Sequence, residues 1–492
     1  MTTMTTIKQL DSLAGANTNV SPLIQPKNSP PVLNGCDPTY KLGALLKDTG
    51  YEKIGDTLEA GKDITGLFNF RQSSSVQKIL ATINNSAGTN LTLKYNNAGT
   101  WTNINLSNAW DTYEDSKVSM AQFIGYCFFT GYDSTDSVFL PVGSLVGTTF
   151  STSTNVTSMP QGKYIVRYRD RLYVLNAYYS ATAYPYRAYY SSVPSAGAIT
   201  WTPASDFLDV GDYGDEITGG IEAWDKLLLF TEYTCTHYNQ EQKKQMWEVG
   251  CANHFTIKKS DSFVIWVDST NVWLSAGGQP VAIGGQIIDF IRQGSPKNFF
   301  AEIVDRKYRL YVGTVTVQGV TYSNCMLTYD IATQMWFWRE LADDMTAFAR
   351  YNSSGTQRLY MGADTGMVYN KGKHSDSTLI NSDNGTSIKS NFELAPITLD
   401  ALQVEKEIAT LTAYAERAGG LKLKARVIDR NTRALTPFLK LGELTKFIND
   451  FDIEIEKGAI LQVAGSESGS SPYWSFYGIE LGINKFADNI KT

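Results

Sequence analysis

Residues 163–177 read KYIVRYRDRLYVLNA, and this stretch decides the fold. Two runs rich in Tyr, Ile, Val and Leu flank the polar turn at Arg169-Asp170. Aromatic and β-branched residues on both sides of a short polar turn predict a hairpin of two strands. The same beat recurs as IEAWDKLLLFTE (221–232), SFVIWVDSTNVWLSAGG (262–278), EIVDRKYRLYVGTV (302–315) and AFARYNSSGTQRLYMGADTGMVYN (347–370). Fainter copies read NFRQSSSVQKILATI (69–83) and AQFIGYCFFTGYD (121–133). The apolar runs centre on Leu80, Phe128, Tyr173, Leu228, Ile265, Tyr311 and Tyr360, at spacings of 48, 45, 55, 37, 46 and 49 residues. A period of about 40–50 residues, each holding several short strands, marks a β-propeller. Residues 61–375 are therefore expected to form about seven blades, with six to eight compatible with the weaker copies. Turns at Asp225-Lys226, Asp305-Arg306 and Ser353-Ser354-Gly355 suit the same hairpin role, because these residues accept turn dihedrals.

Composition agrees with an all-β chain. Charged residues make up 19%, below the roughly 25% of ordinary globular chains, and 28 Tyr help fill the deficit. The length of 492 residues exceeds the size at which one core stops growing, so more than one domain is expected. The net charge of −6, with no run of Lys or Arg, argues against tight phosphate binding. An acidic wall instead lets a nucleic-acid strand pass without sticking. Cys36, Cys127, Cys235, Cys251 and Cys325 are odd in number and widely spaced, which predicts buried reduced thiols made in a reducing cytosol. The opening MTTMTTIKQLDSLAG has neither a basic nor an apolar signal region, so no Sec-type export is expected. Runs such as LLLF and FVIWV are too short to cross a bilayer, and no membrane insertion is expected.

Around the repeats lie three other regions. Residues 1–60 read as an extended Pro-rich arm, punctuated by Pro22, Pro26, Pro30, Pro31 and Pro38, with Ala44-Leu45-Leu46 and Ile54 as apolar handles. Such an arm is expected to lie along another surface. Within the repeats, residues 176–216 carry seven tyrosines and are read as a Tyr-rich insertion, a candidate contact surface. Trp101, Trp201, Trp273, Trp336 and Trp338 sit where outer strands are expected, each covering the flank of a neighbouring blade. Residues 376–390 form a Ser/Asn/Asp linker, and 391–492 change pattern. There Leu421, Leu423, Ala425 and Val427 alternate with Lys422, Lys424 and Arg426, as Phe451, Ile453 and Ile455 alternate with acids. Period-two alternation predicts half-buried strands and a small β-sandwich. Residues 400–418 are read mainly as strand, and Gly419-Gly420 as a hairpin turn.

The search for chemistry ends without a catalytic, cofactor-binding or metal site. His237, His254 and His374 have no partner at i+2 or i+4, which disfavours a metal pair and a nucleophilic triad. Asp209, Asp212, Asp215 and Glu216 cluster in FLDVGDYGDEITGG, and Asp343-Asp344 end a strand. Paired acids hydrolyse glycosides when about 5–9 Å apart, but acids between blades more often sit in exposed turns. DSTDS (133–137) and DSTN (268–271) have calcium-like oxygen spacing without the rest of a binding loop, and are read as turns. YNNAGTW (95–101) and SAGAITW (195–201) echo the aspartate boxes of sialidases but lack the aspartate.

From about 162 to 293 the chain resembles the propeller of short-tailed bacteriophage tail hub or nozzle proteins, which stabilise packaged DNA. The beats that carry the resemblance are Arg171-Leu172-Tyr173, Tyr189-Tyr190-Ser191, Trp201, the turn from Gly214 to Gly219, and the Gly250-Cys251 step. WLSAGG followed by Ile287-Ile288 and the alternating C-terminal strands belong to the same likeness. The resemblance implies a virion structural protein assembled in the host cytoplasm. It implies a homo-oligomeric ring, commonly a hexamer, below the portal and its adaptor. That ring closes the channel on double-stranded DNA, attaches fibres or spikes, and conducts the genome on ejection. No enzymatic activity and no cofactor are expected. The alternative is a phage receptor-binding or fibre-attachment protein whose propeller or sandwich binds glycan. A glycoside hydrolase on a propeller is the third reading.

Overall fold

The computed structural model describes residues 13–19 and 28–485, apart from short stretches at 74–75, 86–89, 98, 107–108, 111–112, 114–115, 212–213, 354, 399–405, 417–418, 429–434, 459 and 468–472. Seven small antiparallel sheets follow one another along the chain as the blades of a propeller. Their first strands are Ile64–Arg71, Lys117–Phe123, Gln161–Tyr168, Gly219–Ala223, Lys258–Lys259, Phe300–Val304 and Met345–Ser353. Each first strand touches the first strand of the next blade, and the seventh returns to the first, so these strands ring the axis.

The apolar centres named above all fall on the second strands, from Gln77–Asn84 in blade 1 to Thr356–Ala363 in blade 7. These runs are apolar throughout because both faces are covered by neighbouring blades. In blade 4, Leu227 and Leu229 pack towards blade 3 while Leu228 and Phe230 pack towards blade 5. One apolar cluster fills each junction between neighbouring blades, including Ile64, Ala81 and Ile83 of blade 1 against Ala347 and Val368 of blade 7.

The hairpin turn of blade 4 is Trp224-Asp225 rather than Asp225-Lys226. Both residues have positive φ (48° and 58°), as do Asp305 and Arg306 of blade 6 (53° and 60°). Two left-handed residues match the right-handed twist of the flanking strands.

Residues 32–53 pair with strands of this chain and are threaded through it. Tyr51–Lys53 pairs antiparallel with Val368–Lys371 and supplies the fourth strand of blade 7. Val32–Asn34 lies between the outer strand of blade 6, Met335–Glu340, and Ser390–Glu393. Cys36–Asp37 and Leu45–Lys47 extend the second sheet of the sandwich. An exposed strand edge invites pairing, and three open edges of this chain are satisfied by its own N-terminal segment. Pro22 and Pro26 lie outside the described residues.

The sandwich packs the sheet of Ser390–Glu393, Ile460–Glu467, Lys422–Ile428 and Leu439–Glu443 against that of Ser475–Lys485, Lys406–Glu416 and Ile448–Gly458. Through Val32–Asn34 the first of these sheets is continuous with blade 6. One core accordingly runs from Ile265 and Leu310 of the propeller to Phe392, Leu411 and Leu461 of the sandwich. The expected linker is pinned as well, since Asp383 pairs in parallel with Tyr51.

Two further expectations are corrected. Gly419-Gly420 is not a hairpin turn, because the strands on either side belong to different sheets. Leu421 and Leu423 must face Leu411 and Ala413 across the core, so the chain crosses from one sheet to the other. Residues 176–216 are not an insertion either. They comprise the end of the second strand, the third strand Thr182–Tyr190 and the short fourth strand Phe207–Asp209 of blade 3. Tyr186 and Tyr189 are buried, and Tyr178 stacks on Phe139 of blade 2 at 5.4 Å. Three of the five expected outer tryptophans tie blades together by their indole N–H groups, whereas the buried N–H groups of Trp273 and Trp338 have no partner among the described residues. Trp201 donates to Asn155 O (3.0 Å), Trp336 to Ile283 O (2.7 Å) and Trp101 to Ile54 O (3.0 Å).

Candidate functional site

Of the acids in residues 205–216, Asp209 and Glu216 are held by partners within blade 3. Arg187 grips both oxygens of Asp209, with Nε–Oδ1 at 2.6 Å and Nη2–Oδ2 at 3.1 Å. Its guanidinium also lies 3.7 Å over the Phe207 ring. Glu216 accepts from Lys163 Nζ and from Asn176 Nδ2 (2.7 Å). Burial opposes its ionisation, yet these two partners hold its carboxyl below the usual range. Asp215 packs under the turn at Gly211 (φ +78°), and Asp212 lies outside the described residues. Asp343 Oδ2 accepts from Tyr51 Oη at 2.8 Å, and Asp344 Oδ1 from Tyr311 Oη at 2.5 Å. These acids anchor the fold.

The calcium-like sequences are turns. Asp133 Oδ1 caps the backbone N–H of Thr135 (2.8 Å) and Asp136 (3.1 Å). Asp268 Oδ1 does the same for Thr270 and Asn271, both at 2.6 Å. An Asx turn of this kind spends the oxygen that an ion would need. All five cysteines are buried, free thiols.

The three histidines occupy three environments. The His237 ring is pushed towards neutrality by burial and by Lys226 and Lys244. His254 stacks on Tyr164 at 4.7 Å, and its Nδ1 accepts the Gly220 N–H at 3.4 Å. Burial, aided by Lys258, lowers its pKa to about 3. His374 meets the N-terminal segment, its Nε2 3.3 Å from Asp37 Oδ2 and its Nδ1 3.0 Å from Tyr473 Oη.

His374 belongs to a buried ionic junction that joins the N-terminal segment, blades 6 and 7, and the sandwich. Asp37 Oδ2 accepts from Lys307 Nζ at 2.6 Å. Asp48 receives Lys371 Nζ (3.1 Å) on one oxygen and Arg339 Nη1 (3.4 Å) on the other. Arg339 also binds both oxygens of Asp383, and Lys47 pairs with Glu467 at 2.7 Å. Burial opposes charge on Asp37 and Asp48, but Lys307 and His374 hold the first well below the carboxylate range, and Lys371 and Arg339 the second. Burial lowers Lys371 to about 8.

Ligand atoms of Asp37, Asp48 and His374 lie within 4.8 Å of one another, the spacing of a metal centre. The residues do not fit one. Two ammonium groups and a guanidinium already occupy the same carboxylates, so an added cation would face them at contact distance. Nothing in the local sequence pairs the residues of this junction, of which Lys47 and Glu467 are 420 positions apart. The available signal is a lone charge in an apolar strand, such as Arg339 after Trp336-Phe337-Trp338 or Lys47 after Leu45-Leu46.

These features define a seven-bladed β-propeller with a β-sandwich fused to its sixth blade. No protein-family profile and no curated sequence matches the chain. Among solved structures it is similar to the WD40 domain of Neurospora crassa Pan2, at 7% identity and a TM-score of 0.40, over 68% of this chain and 97% of that one. It is also similar to an exo-β-1,3-galactanase from Phanerochaete chrysosporium, at 10% identity and a TM-score of 0.27, over 76% of this chain and 97% of the other. Likeness at this level carries no argument, and the propeller rests on the chain's own strand topology.

Proposed function

We propose that this chain is a structural component of a short-tailed bacteriophage tail. As a hub or nozzle subunit it would form a ring, commonly of six, below the portal and adaptor. The ring closes the DNA channel, carries fibres or spikes and conducts the genome without catalysing a reaction. The observation that carries the reading is the interlock of residues 32–53 with blades 6 and 7 and both sandwich sheets. That interlock makes propeller and sandwich one stiff body, as a part under internal pressure requires, and it adds to the sequence resemblance centred on 162–293. The loop at 205–216 supplies less free negative charge than its five acids imply, because Asp209 and Glu216 are paired. DNA repulsion would then rest on the remaining acidic surface. Light scattering and electron microscopy of the purified chain, alone and with portal and adaptor, test the proposal. A closed ring is expected, and a protein that stays monomeric with both partners present overturns it.

The second reading, a receptor-binding component with a glycan-binding propeller, is favoured by a tryptophan-lined hollow at the propeller axis.

A further inference from the structure

That hollow has a volume of about 290 Å³ and is lined by Ala223 and Trp224 of blade 4, by Lys259, Ser260, Asp261, Phe263 and Val264 of blade 5, and by Arg350 of blade 7. Blades that are not neighbours can share a cavity only across the axis. The hollow is therefore the mouth of the central channel, on the side of the hairpin turns that follow the first strands.

Three features of this mouth bear on a ligand. Arg350 and Lys259 make no side-chain hydrogen bond or ion pair among the described residues, whereas the buried bases of the junction are all matched. Trp224 stands at the tip of its two-residue hairpin turn, beside the hollow. Its indole lies edge-on to Trp247 at 6.3 Å and would meet a Cβ at Gly277 at 3.5 Å, so that ring is held in place by its neighbours. In addition, the seven first strands carry seven Lys or Arg against two Glu, in a chain of net charge −6. With Lys163 paired to Glu216 and Lys258 to Glu302, Arg350 and Lys259 are the positive charges at this mouth, beside Asp261.

We infer that the channel mouth is a binding site for an acidic saccharide, a sugar ring bearing a carboxylate. The indole of Trp224 supplies an apolar platform for the C–H face of the ring. Arg350 and Lys259 receive the carboxylate, Arg350 being suited to grip both oxygens. Ser260 accepts from and donates to sugar hydroxyl groups, and Asp261 accepts from them. The volume lies at the small end of ligand pockets, which fits one terminal residue of a glycan. The inference deepens the second reading and is independent of ring assembly, which is scored by mass and imaging.

The test is calorimetric and saturation-transfer binding by the purified full chain. The probes are sialyllactose, a glucuronate-containing disaccharide, neutral lactose and a thymidine oligonucleotide. Binding of at least one acidic probe is expected, about tenfold or more above lactose. Arg350→Gln should weaken it about tenfold, and Trp224→Ala should abolish the saturation-transfer signal. Circular dichroism checks that each variant is folded, and Lys259→Gln, on an exposed side chain, serves if Trp224→Ala is not. No acidic probe bound at about 10 mM, equal binding of lactose, preference for the oligonucleotide, or affinity unchanged in Arg350→Gln and Lys259→Gln would each overturn the assignment.

Discussion

Arg339, on the outer strand of blade 6, binds both carboxylate oxygens of Asp383 in the hairpin beyond the propeller, with each side chain buried to 3% exposure or less. Burial opposes charge on Arg339, but Asp383 and Asp48 raise its pKa further, so it stays cationic. Removing one partner leaves a buried charge uncompensated. Arg339→Met is expected to cost about 3–5 kcal/mol, read as a lower urea midpoint. The double change Arg339→Met with Asp383→Leu should recover part of that loss. A double variant less stable than Arg339→Met alone would show that the pair is not the source.

Ring closure gives a second prediction. Tyr51 is fully buried, pairs with Lys371 and donates to Asp343. Tyr51→Ala should cost about 3–5 kcal/mol through the cavity it leaves, and Tyr51→Phe only about 1 kcal/mol for the hydrogen bond. Thermal denaturation ranks the two. Limited proteolysis of Tyr51→Ala should cut first between blades 7 and 1.

Gly250 offers a test of close approach. A Cβ there would lie 2.2 Å from the backbone carbonyl carbon and oxygen of Glu232. Gly250→Ala must move one segment, and a loss of about 1–3 kcal/mol is expected. An unchanged melting temperature would mean that the two segments separate freely.

His254 predicts a pH dependence. Its folded pKa is lowered to about 3 from the ordinary 6.5, so below about 6.5 the unfolded chain binds a proton that the folded chain does not. Stability present above pH 6.5 is therefore lost as the pH falls towards 3, at up to about 1.4 kcal/mol per unit. Asp37 and Asp48, with folded pKa values also lowered, add a loss at lower pH, below the ordinary carboxylate pKa. His254→Phe keeps the stacking on Tyr164 and should flatten the slope between pH 6.5 and 4.5, where the carboxylates contribute least. An identical slope in wild type and variant would assign the effect elsewhere.

The propeller was legible because its signal is local. Each second strand is covered on both faces, so Leu227 to Phe230 must all be apolar, and a two-residue turn must precede them. The sandwich was legible for the same reason, in the alternation of Leu421, Leu423 and Ala425 with lysine and arginine. The junction of Asp37, Asp48, Arg339, Lys371 and Asp383 was not. Its members are strangers in sequence, and a buried ion pair leaves no periodicity. The channel mouth was equally hidden, since Trp224, Lys259 and Arg350 come from three separate repeats.

The chain's own order of residues determined the strand rhythm, the repeat number near seven and the change of pattern beyond residue 375, because each depends on side chains within a few positions of one another. Tertiary structure alone decided where the N-terminal segment goes, which charges meet and what faces the axis. Those outcomes depend on which open edges and unmatched charges the folded ring leaves, and a strand as short as Tyr51–Lys53 carries too little information to name its partner before that ring exists.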